Sequence, residues 1–283
     1  MAKTSAELLM QRETRVSFGE VPKRLLDHPL GEMSWAMKGD EFLLRGSGEH
    51  FFFYRRGEGI RVHRGPDANI ADEALWLNGS VYAAVASING LLPIHASAVV
   101  ACGGVVAFAG PPGAGKSTLV AALGKLGFPM FCDDTLVLDL ADPEAIICLP
   151  GHKRLKLTPA AVALTGAEPG EKVSRNVDKF YCAPPAGETA TAMPMIELIF
   201  LEEGPEASVR PISGFERFER MQDDHYTAHL YAGARDFDRQ ERFEHLIGLA
   251  KRIEMASFVR PRDEGRFSDD VELVARYLEG RTG

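Results

Sequence analysis

Hydrophobic residues in the first quarter of the chain come in short runs that are separated by glycine-bearing turns. Between residues 14 and 66 the runs last four or five residues, and one or two glycines mark each turn. Turns spaced this closely are typical of β-hairpins. The pattern predicts a small sheet whose strands are Ser34–Met37, Glu41–Arg45, His50–Tyr54 and Ile60–His63.

The periodicity changes twice further along the chain. Apolar residues between Asp72 and Ile88 recur near helical spacing, which predicts one helix that Asn89-Gly90 closes with a left-handed cap. Strands then alternate with a helix over residues 117–126, a pattern typical of α/β proteins. The strands predicted in this part are Ile94–Ala101, Val105–Ala109, Pro129–Cys132, Thr135–Leu140, Ala145–Leu149 and Ile196–Leu201.

The last third of the chain is predicted to be helical. Residues 213–216 (Ser-Gly-Phe-Glu) can form a capping box, and residues 239–254 are strongly periodic. Residues 268–278 form an amphipathic pattern with Ser268 as the expected cap. No internal repeat is found.

Composition excludes several classes of protein. With 283 residues, 45% of them hydrophobic and 25% charged, the chain is too apolar to be disordered and long enough for a sizeable core. We divide it into a small β-rich region with its connecting helix, residues 1–88, and a larger domain, residues 89–283. The net charge of −8 argues against a broad basic surface for nucleic acid.

Cysteine usage and the apolar runs suggest a compartment. Four widely spaced cysteines without a CxxC pair indicate neither a zinc cluster nor a disulfide scaffold, so reduced, buried thiols are expected. We find no signal-peptide pattern and no apolar run long enough to cross a membrane. We therefore expect a cytoplasmic protein that binds neither membrane nor nucleic acid.

One motif dominates the sequence. Residues 110–117 read Gly-Pro-Pro-Gly-Ala-Gly-Lys-Ser and fit GxxxxGK[ST], with an apolar strand before them and an apolar-faced helix after them. In such a P-loop, backbone N–H groups and the helix N-terminus bind phosphates, Lys116 reaches the terminal phosphates, and the Ser117 hydroxyl coordinates Mg²⁺. A chance glycine-rich turn does not account for this context. The predicted nucleotide-binding residues are Gly110, Pro111, Pro112, Gly113, Ala114, Gly115, Lys116, Ser117 and Thr118.

Two acids and a histidine extend this candidate site. Asp133 and Asp134 follow a predicted strand, and acids at the carboxyl end of a strand beside a P-loop suit γ-phosphate chemistry. Close like charges raise one pKa, which suits a base for an alcohol proton. A turn between two strands is the alternative for this pair. His95 precedes the P-loop, and a lone histidine is more often structural.

These segments together resemble the catalytic domain of HPr kinase/phosphorylase. The block Ile-His-Ala-Ser-Ala-Val at residues 94–99, the P-loop, and Phe-Cys-Asp-Asp-Thr at residues 131–135 carry the resemblance. It implies a P-loop core of the HPr-kinase-like, PEP-carboxykinase-like α/β type, with a β-rich N-terminal region and a helical C-terminal part. It also implies catalytic roles for His95, Lys116, Asp133 and Asp134, with Asp134 accepting the serine proton, and a metal site at Ser117 and Asp134.

The resemblance covers residues 90–140 and has two departures. The family's loop with a Mg²⁺-assisting glutamate and an Arg-Gly run is replaced by Pro-Gly-His-Lys-Arg-Leu-Lys-Leu at residues 150–157. The N-terminal part also differs from the family's regulatory domain. HPr recognition, phosphorolysis and hexamer assembly are therefore not expected to carry over, and a homo-oligomer is left open.

Other polar residues are weaker candidates. The basic cluster in residues 152–156 fits either a solvated strand edge or a substrate contact, and a predicted loop over residues 166–185 raises the same question. We select Arg154 and Lys179 as substrate candidates. Asp223-Asp224-His225 fits an acidic patch at a helix end better than a metal site.

The resulting hypothesis is a kinase that uses ATP and Mg²⁺. The acceptor would be a serine hydroxyl of a peptide or protein, and the tail of a lasso precursor peptide is the specific case that the resemblance suggests. Two alternatives stay open: a kinase for free serine or another metabolite, and a nucleotide-gated sensor or scaffold that transfers nothing. The first predicts a narrow closed pocket, and the second predicts nucleotide binding without an acceptor.

Overall fold

A computed structural model describes residues 3–27, 30–31, 34–222 and 225–281. Helices and strands are mixed throughout, and the strands form three sheets in this part of the chain. The helices are α1 (Ser5–Glu13), α2 (Glu73–Trp76), α3 (Tyr82–Ile88), α4 (Lys116–Lys125), α5 (Pro159–Thr165), α6 (Phe215–Arg220), α7 (Tyr226–Arg235), α8 (Arg239–Arg252) and α9 (Phe267–Glu279).

The predicted N-terminal hairpins are confirmed. The sheet has the order β1-β5-β4-β3-β2, antiparallel except where β1 runs parallel to β5. Alternate residues of β4 face different clusters: Phe52 and Tyr54 pack with α1 and α3, while Phe51 and Phe53 pack on the other face. The strands are β1 (Val16–Phe18), β2 (Ser34–Lys38), β3 (Glu41–Arg45), β4 (His50–Arg55) and β5 (Gly59–Arg64).

The single helix predicted from Asp72 to Ile88 is wrong. A 3-10 turn, α2, a π-type turn over Leu77–Val81 and α3 follow one another, and Gly79 in the turn has non-helical angles (φ −108°, ψ −105°). The predicted end of the helix at Asn89-Gly90 is confirmed, since Gly90 has a left-handed φ of +80°. The kink places Gly79 close to the candidate site: a Cβ atom added to Gly79 would lie 3.8 Å from Asp134 Oδ2.

The central sheet carries the P-loop. Its main path is β6-β10-β11-β15-β8-β7-β9; β17 pairs with β15 and β16, and β15 runs parallel to both β8 and β17. One face packs against α4 and α9, and the other packs against α7 and α8. The strands of this sheet are β6 (Leu92–Ile94), β7 (Ala96–Ala101), β8 (Gly104–Ala109), β9 (Met130–Cys132), β10 (Leu136–Asp139), β11 (Ile147–Leu149), β15 (Met193–Glu203), β16 (Ser208–Pro211) and β17 (Met255–Arg260). A separate sheet contains β12 (Leu155–Leu157), β13 (Pro169–Ser174) and β14 (Val177–Cys182).

Two predictions about strands need correction. The strand expected over Ile94–Ala101 is split, because His95 leaves the ladder and only β6 pairs with β10, while β7 pairs with β8 and β9. The loop expected over residues 166–185 is largely a hairpin, in which β13 and β14 join β12 in a three-stranded sheet. Leu155, Leu157 and Cys182 anchor that sheet in the core beside α4.

Two helix caps in the C-terminal third also differ from prediction. No capping box forms at residues 213–216: Gly214 is the N-cap of α6, and the Glu216 carboxylate binds Arg210 and Arg220 instead. Ser268 lies inside α9 rather than capping it, because a 3-10 turn capped by Asp263 precedes the helix. The helix predicted over residues 239–254 is confirmed as α8, and β17 lies between it and α9.

Three further predictions concern the cysteines, membrane-spanning segments and the domain boundary. All four cysteine thiols are unpaired, and three of them are buried, as expected. No helix in the described ranges is long and apolar enough to cross a membrane. The boundary at residue 88 stays a prediction; one cluster joins Phe52 to Val137 and Leu149 across it.

Candidate functional site

The P-loop sequence joins the end of β8 to the start of α4. Gly115 is the N-cap of α4 and has a φ of +92°, a left-handed conformation that favours glycine. A Cβ at this position would lie 2.6 Å from Arg260 Nη2, and that guanidinium donates to the Ala114 carbonyl at 3.3 Å. The loop is thus shaped by its glycines and contacted from the end of β17. Its binding of nucleotide stays a prediction.

The Lys116 side chain folds back over the loop. It is buried, and its Nζ donates to the carbonyl oxygens of Gly110 at 2.8 Å and Pro111 at 3.3 Å. A lysine ammonium is a compact point charge on a flexible stem, so it can exchange these carbonyls for phosphate oxygens.

Asp133 is the acid that contacts the P-loop serine. It is buried, its Oδ1 accepts from Ser97 Oγ at 2.6 Å and from Ser117 Oγ at 2.7 Å, and its Oδ2 accepts from the Lys156 backbone N–H at 2.9 Å. The predicted metal pair was Ser117 with Asp134, whereas the carboxylate beside Ser117 is that of Asp133. A hydroxyl and a carboxylate are the oxygen ligands that Mg²⁺ takes, so these residues fit the ion.

Asp134 is held in an uncommon backbone conformation with a φ of +72°. Its Oδ2 accepts from Lys156 Nζ at 2.9 Å, its Oδ1 lies 3.8 Å from His95 Nδ1, and its side chain stays 27% exposed. Burial raises the pKa of Asp134, but Lys156, His95 and Lys179 together hold that pKa below its ordinary value. The carboxylate is therefore ionised at neutral pH and accessible to a hydroxyl.

His95, from the sequence block at residues 94–99, lies against Asp134. Its Nδ1 is 2.9 Å from the Asp134 carbonyl oxygen, and only a protonated Nδ1 can donate to a carbonyl. Burial and the charge of Lys116 lower the pKa of His95 to about 4, so the ring is neutral at pH 7. It stacks on the His225 ring at 3.8 Å between centroids.

Sequence reasoning missed several residues around the acids. The basic cluster in residues 152–156 had two interpretations, and the solvated strand edge is wrong for Lys156 because its side chain is only 6% exposed and pairs with Asp134. The alternation Leu155-Lys156-Leu157 in β12 contained no signal for a buried lysine. Ser97 lies within the sequence block that was singled out, but its contact with Asp133 depends on the pairing of β7 with β9.

The weaker candidate residues differ in how closely they approach the Asp133–Asp134 pair. Arg154 pairs with Glu171 at 2.6 Å and covers the Tyr181 ring, so its charge is engaged outside the acid pair. Lys179 is half-buried on β14 and contributes to lowering the pKa of Asp134. Asp223 and Asp224 lie outside the described residues. No group of three metal-ligating side chains occurs within the described ranges.

A cleft of about 970 Å³ opens beside the P-loop. Its lining includes His95, residues 109–112 of the loop, the carboxyl end of β15, and helices α7 and α8. It lies on the face of the central sheet opposite α4, whereas Leu155 and Leu157 of β12 pack on the α4 side. The candidate site therefore has a phosphate-binding loop, a buried acid, an exposed acid and an adjoining cleft.

The chain is thus a mixed α/β protein with a P-loop sequence at the end of a central strand. No protein-family model matches it, and no curated protein sequence matches it. Among solved structures it is similar to the HPr(Ser) kinase/phosphatase from Coxiella burnetii, at 14% sequence identity and a TM-score of 0.34. The similarity covers 68% of this chain and 99% of that one.

Proposed function

We propose that this chain is an ATP- and Mg²⁺-dependent kinase that transfers the γ-phosphoryl group to a serine hydroxyl of a peptide or protein. The observation that carries the proposal is that two adjacent acids differ in their contacts and in their exposure. Asp133 is buried on the P-loop serine, and Asp134 is ionised and partly exposed one residue further on. Phosphoryl transfer needs this combination of a metal-side acid and an acid facing the acceptor.

Each group has a role in the transfer. Asp134 accepts the proton of the acceptor hydroxyl, the hydroxyl oxygen forms a bond to the γ-phosphorus, and the bond from that phosphorus to the bridging oxygen breaks to release ADP. Lys116 and the loop amides balance the charge on the phosphoryl oxygens. Mg²⁺ at Ser117 and Asp133 would neutralise phosphate charge. His95, neutral and bonded to the Asp134 carbonyl, holds that residue in its left-handed conformation.

The nature of the acceptor is supported by the resemblance of residues 94–99, 110–117 and 131–135 to HPr kinase/phosphorylase. That resemblance favours a serine, and the missing HPr-recognition loop favours a peptide, for which a lasso precursor tail is our preferred case. A metabolite kinase is the second candidate, because the cleft beside His95 has a volume within the range of small-molecule pockets.

Labelled ATP tests the proposal directly. The protein is incubated with [γ-³²P]ATP, Mg²⁺ and serine-containing peptides, free serine in parallel, and a lysate as a broad source of acceptors. The variant Asp134→Asn keeps a residue that tolerates positive φ, so it should fold, bind ATP and transfer nothing. Asp40→Asn, an exposed acid in a hairpin turn, is the matched control and should transfer normally. Full transfer by Asp134→Asn contradicts the proposal.

A further inference from the structure

The cleft beside the P-loop adjoins the place where transfer would occur. Gly110 and Pro111, whose carbonyl oxygens bind Lys116 Nζ, line one end of it together with His95. Because Lys116 lies at the terminal phosphate in a P-loop, a molecule in the cleft would end next to the transferred group. The cleft therefore lies on the acceptor side of the site.

Apolar side chains form two walls of the cleft, and three histidines, His95, His225 and His245, line it as well. One wall is the sheet face, with Ile94, Leu198 and Phe200, and the opposite wall is formed by α7 and α8, with Leu246 and Leu249. Helix α7 contributes two alanines to this wall, Ala228 and Ala232, one helical turn apart. Small side chains at these positions leave the space that a larger residue would fill.

Seven charged side chains line the cleft, and four of them form two ion pairs with one another. Arg220 binds Glu202 at 2.9 Å, and Arg262 binds Glu203 at 2.9 Å. These pairs offset each other's charge, and with Glu219, Arg242 and Arg260 the cleft lining keeps a net charge of +1, from four arginines and three glutamates. It favours the burial of apolar surface over that of a highly charged group such as a second nucleotide.

We infer that this cleft binds the acceptor, and that the acceptor is a peptide segment with bulky apolar side chains next to its phosphorylated serine. The inference rests on the proposed function and narrows its substrate class. A volume of about 970 Å³ is at the upper end for ligand pockets and exceeds what free serine needs. The apolar walls contact the flanking side chains, and His95 and the loop lie at the hydroxyl.

A cleft-filling variant tests the inference. Ala232→Phe should raise the KM for a serine peptide with flanking Leu and Phe by about 10–100-fold, because a hydrophobic pocket discriminates at that level per lost contact. The Kd for ATP should stay unchanged. Gly233→Phe is the matched control, since Gly233 is exposed on the same helix with open space around its Cβ, and its KM should equal that of the wild type. Ala228→Leu, with its thermal unfolding recorded, provides a second variant.

For peptides with Lys and Asp in place of the apolar flanking residues, kcat/KM should be lower by at least about 10-fold. Equal use of polar-flanked peptides or free serine overturns the inference, as does an unchanged KM in folded Ala232→Phe and Ala228→Leu. A loss of ATP affinity in these variants assigns the cleft to the nucleotide and also overturns it. Calorimetry with the same peptide, its Ser replaced by Ala, separates the two proposals. If the wild type binds this peptide, Ala232→Phe abolishes that binding, and the wild type transfers no phosphate to the serine peptide, then the proposed kinase activity is wrong and the assignment of the cleft stands.

Discussion

Replacing Asp133 by Asn tests the hydrogen-bond network beneath the P-loop. The carboxylate accepts two hydroxyls at Oδ1 and one backbone N–H at Oδ2, and it is buried. An amide has one oxygen, one NH₂ group and no charge, so either the Lys156 N–H meets the NH₂ group or the two serine hydroxyls must turn and accept from it. If the oxygen faces Ser97 and Ser117, the N–H of Lys156 is left unpaired.

The expected loss of stability follows from these contacts. A hydrogen bond to a charged group contributes about 1.5–3 kcal/mol, and a buried donor without a partner costs about 1–3 kcal/mol. We therefore expect Asp133→Asn to lower the free energy of unfolding by about 3 kcal/mol. At a urea m-value of about 3 kcal/mol per M, the unfolding midpoint falls by about 1 M with m unchanged.

Urea titration followed by circular dichroism measures this shift. Ser97→Ala removes one hydrogen bond to the carboxylate and leaves two, so its loss should be at the lower end of that range, about 1.5 kcal/mol. Asp133→Asn should also lose Mg²⁺-dependent transfer, because the acid beside Ser117 has lost its charge. An unchanged midpoint for Asp133→Asn would refute the reasoning, since it would mean that the buried bonds contribute nothing.

Three further predictions concern neighbouring groups. Lys156→Met removes the cation that lowers the pKa of Asp134, so the acid limb of kcat/KM should move to higher pH; an unmoved limb in the pH–rate profile contradicts the ion pair. His95 has a folded-state pKa of about 4 against an ordinary 6.5, so its contribution to stability is present above pH 6.5 and is lost as pH falls towards 4. That loss amounts to about 3 kcal/mol, and His95→Gln should remove this part of the pH dependence of urea midpoints; equal slopes in both proteins would count against it. Gly115→Ala places a Cβ at a φ of +92° against the end of Arg260, so it should cost about 1–2 kcal/mol by thermal unfolding and weaken ATP binding; wild-type behaviour in both assays would contradict this.

The parts of the fold that were predictable are those whose signal is local. The N-terminal hairpins follow from glycine spacing, and the P-loop follows from eight contiguous residues between an apolar strand and a helix. The hairpin of β13 and β14 gave no such signal, because four of the six residues of β13 are exposed and no apolar alternation marks the strand. The split at His95 depends on a bond to the Asp134 carbonyl, 39 residues away in the chain.

In the candidate site, too, only the part with a local sequence signal was predictable. Lys116, Asp133, Asp134 and His95 were identifiable from motif and resemblance; His95 contacts Asp134, and Asp133 bonds to Ser117, the neighbour of Lys116 in the P-loop. The roles of the two acids were not separable from sequence, because adjacent residues on a turn point in directions that only the surrounding strands determine. Lys156 reaches Asp134 through the position of β12, and sequence spacing does not encode that contact.

Transfer of the terminal phosphate is the central claim, and one measurement tests it most directly. The wild-type protein and Asp134→Asn are incubated with [γ-³²P]ATP, Mg²⁺ and an apolar-flanked serine peptide, and the peptide is analysed by phosphate-site mass spectrometry. We expect one phosphate on the serine with the wild type, none with Asp134→Asn, and equal ATP binding by both. ATP binding without a labelled acceptor from any peptide or lysate, or equal labelling by both proteins, would contradict the account.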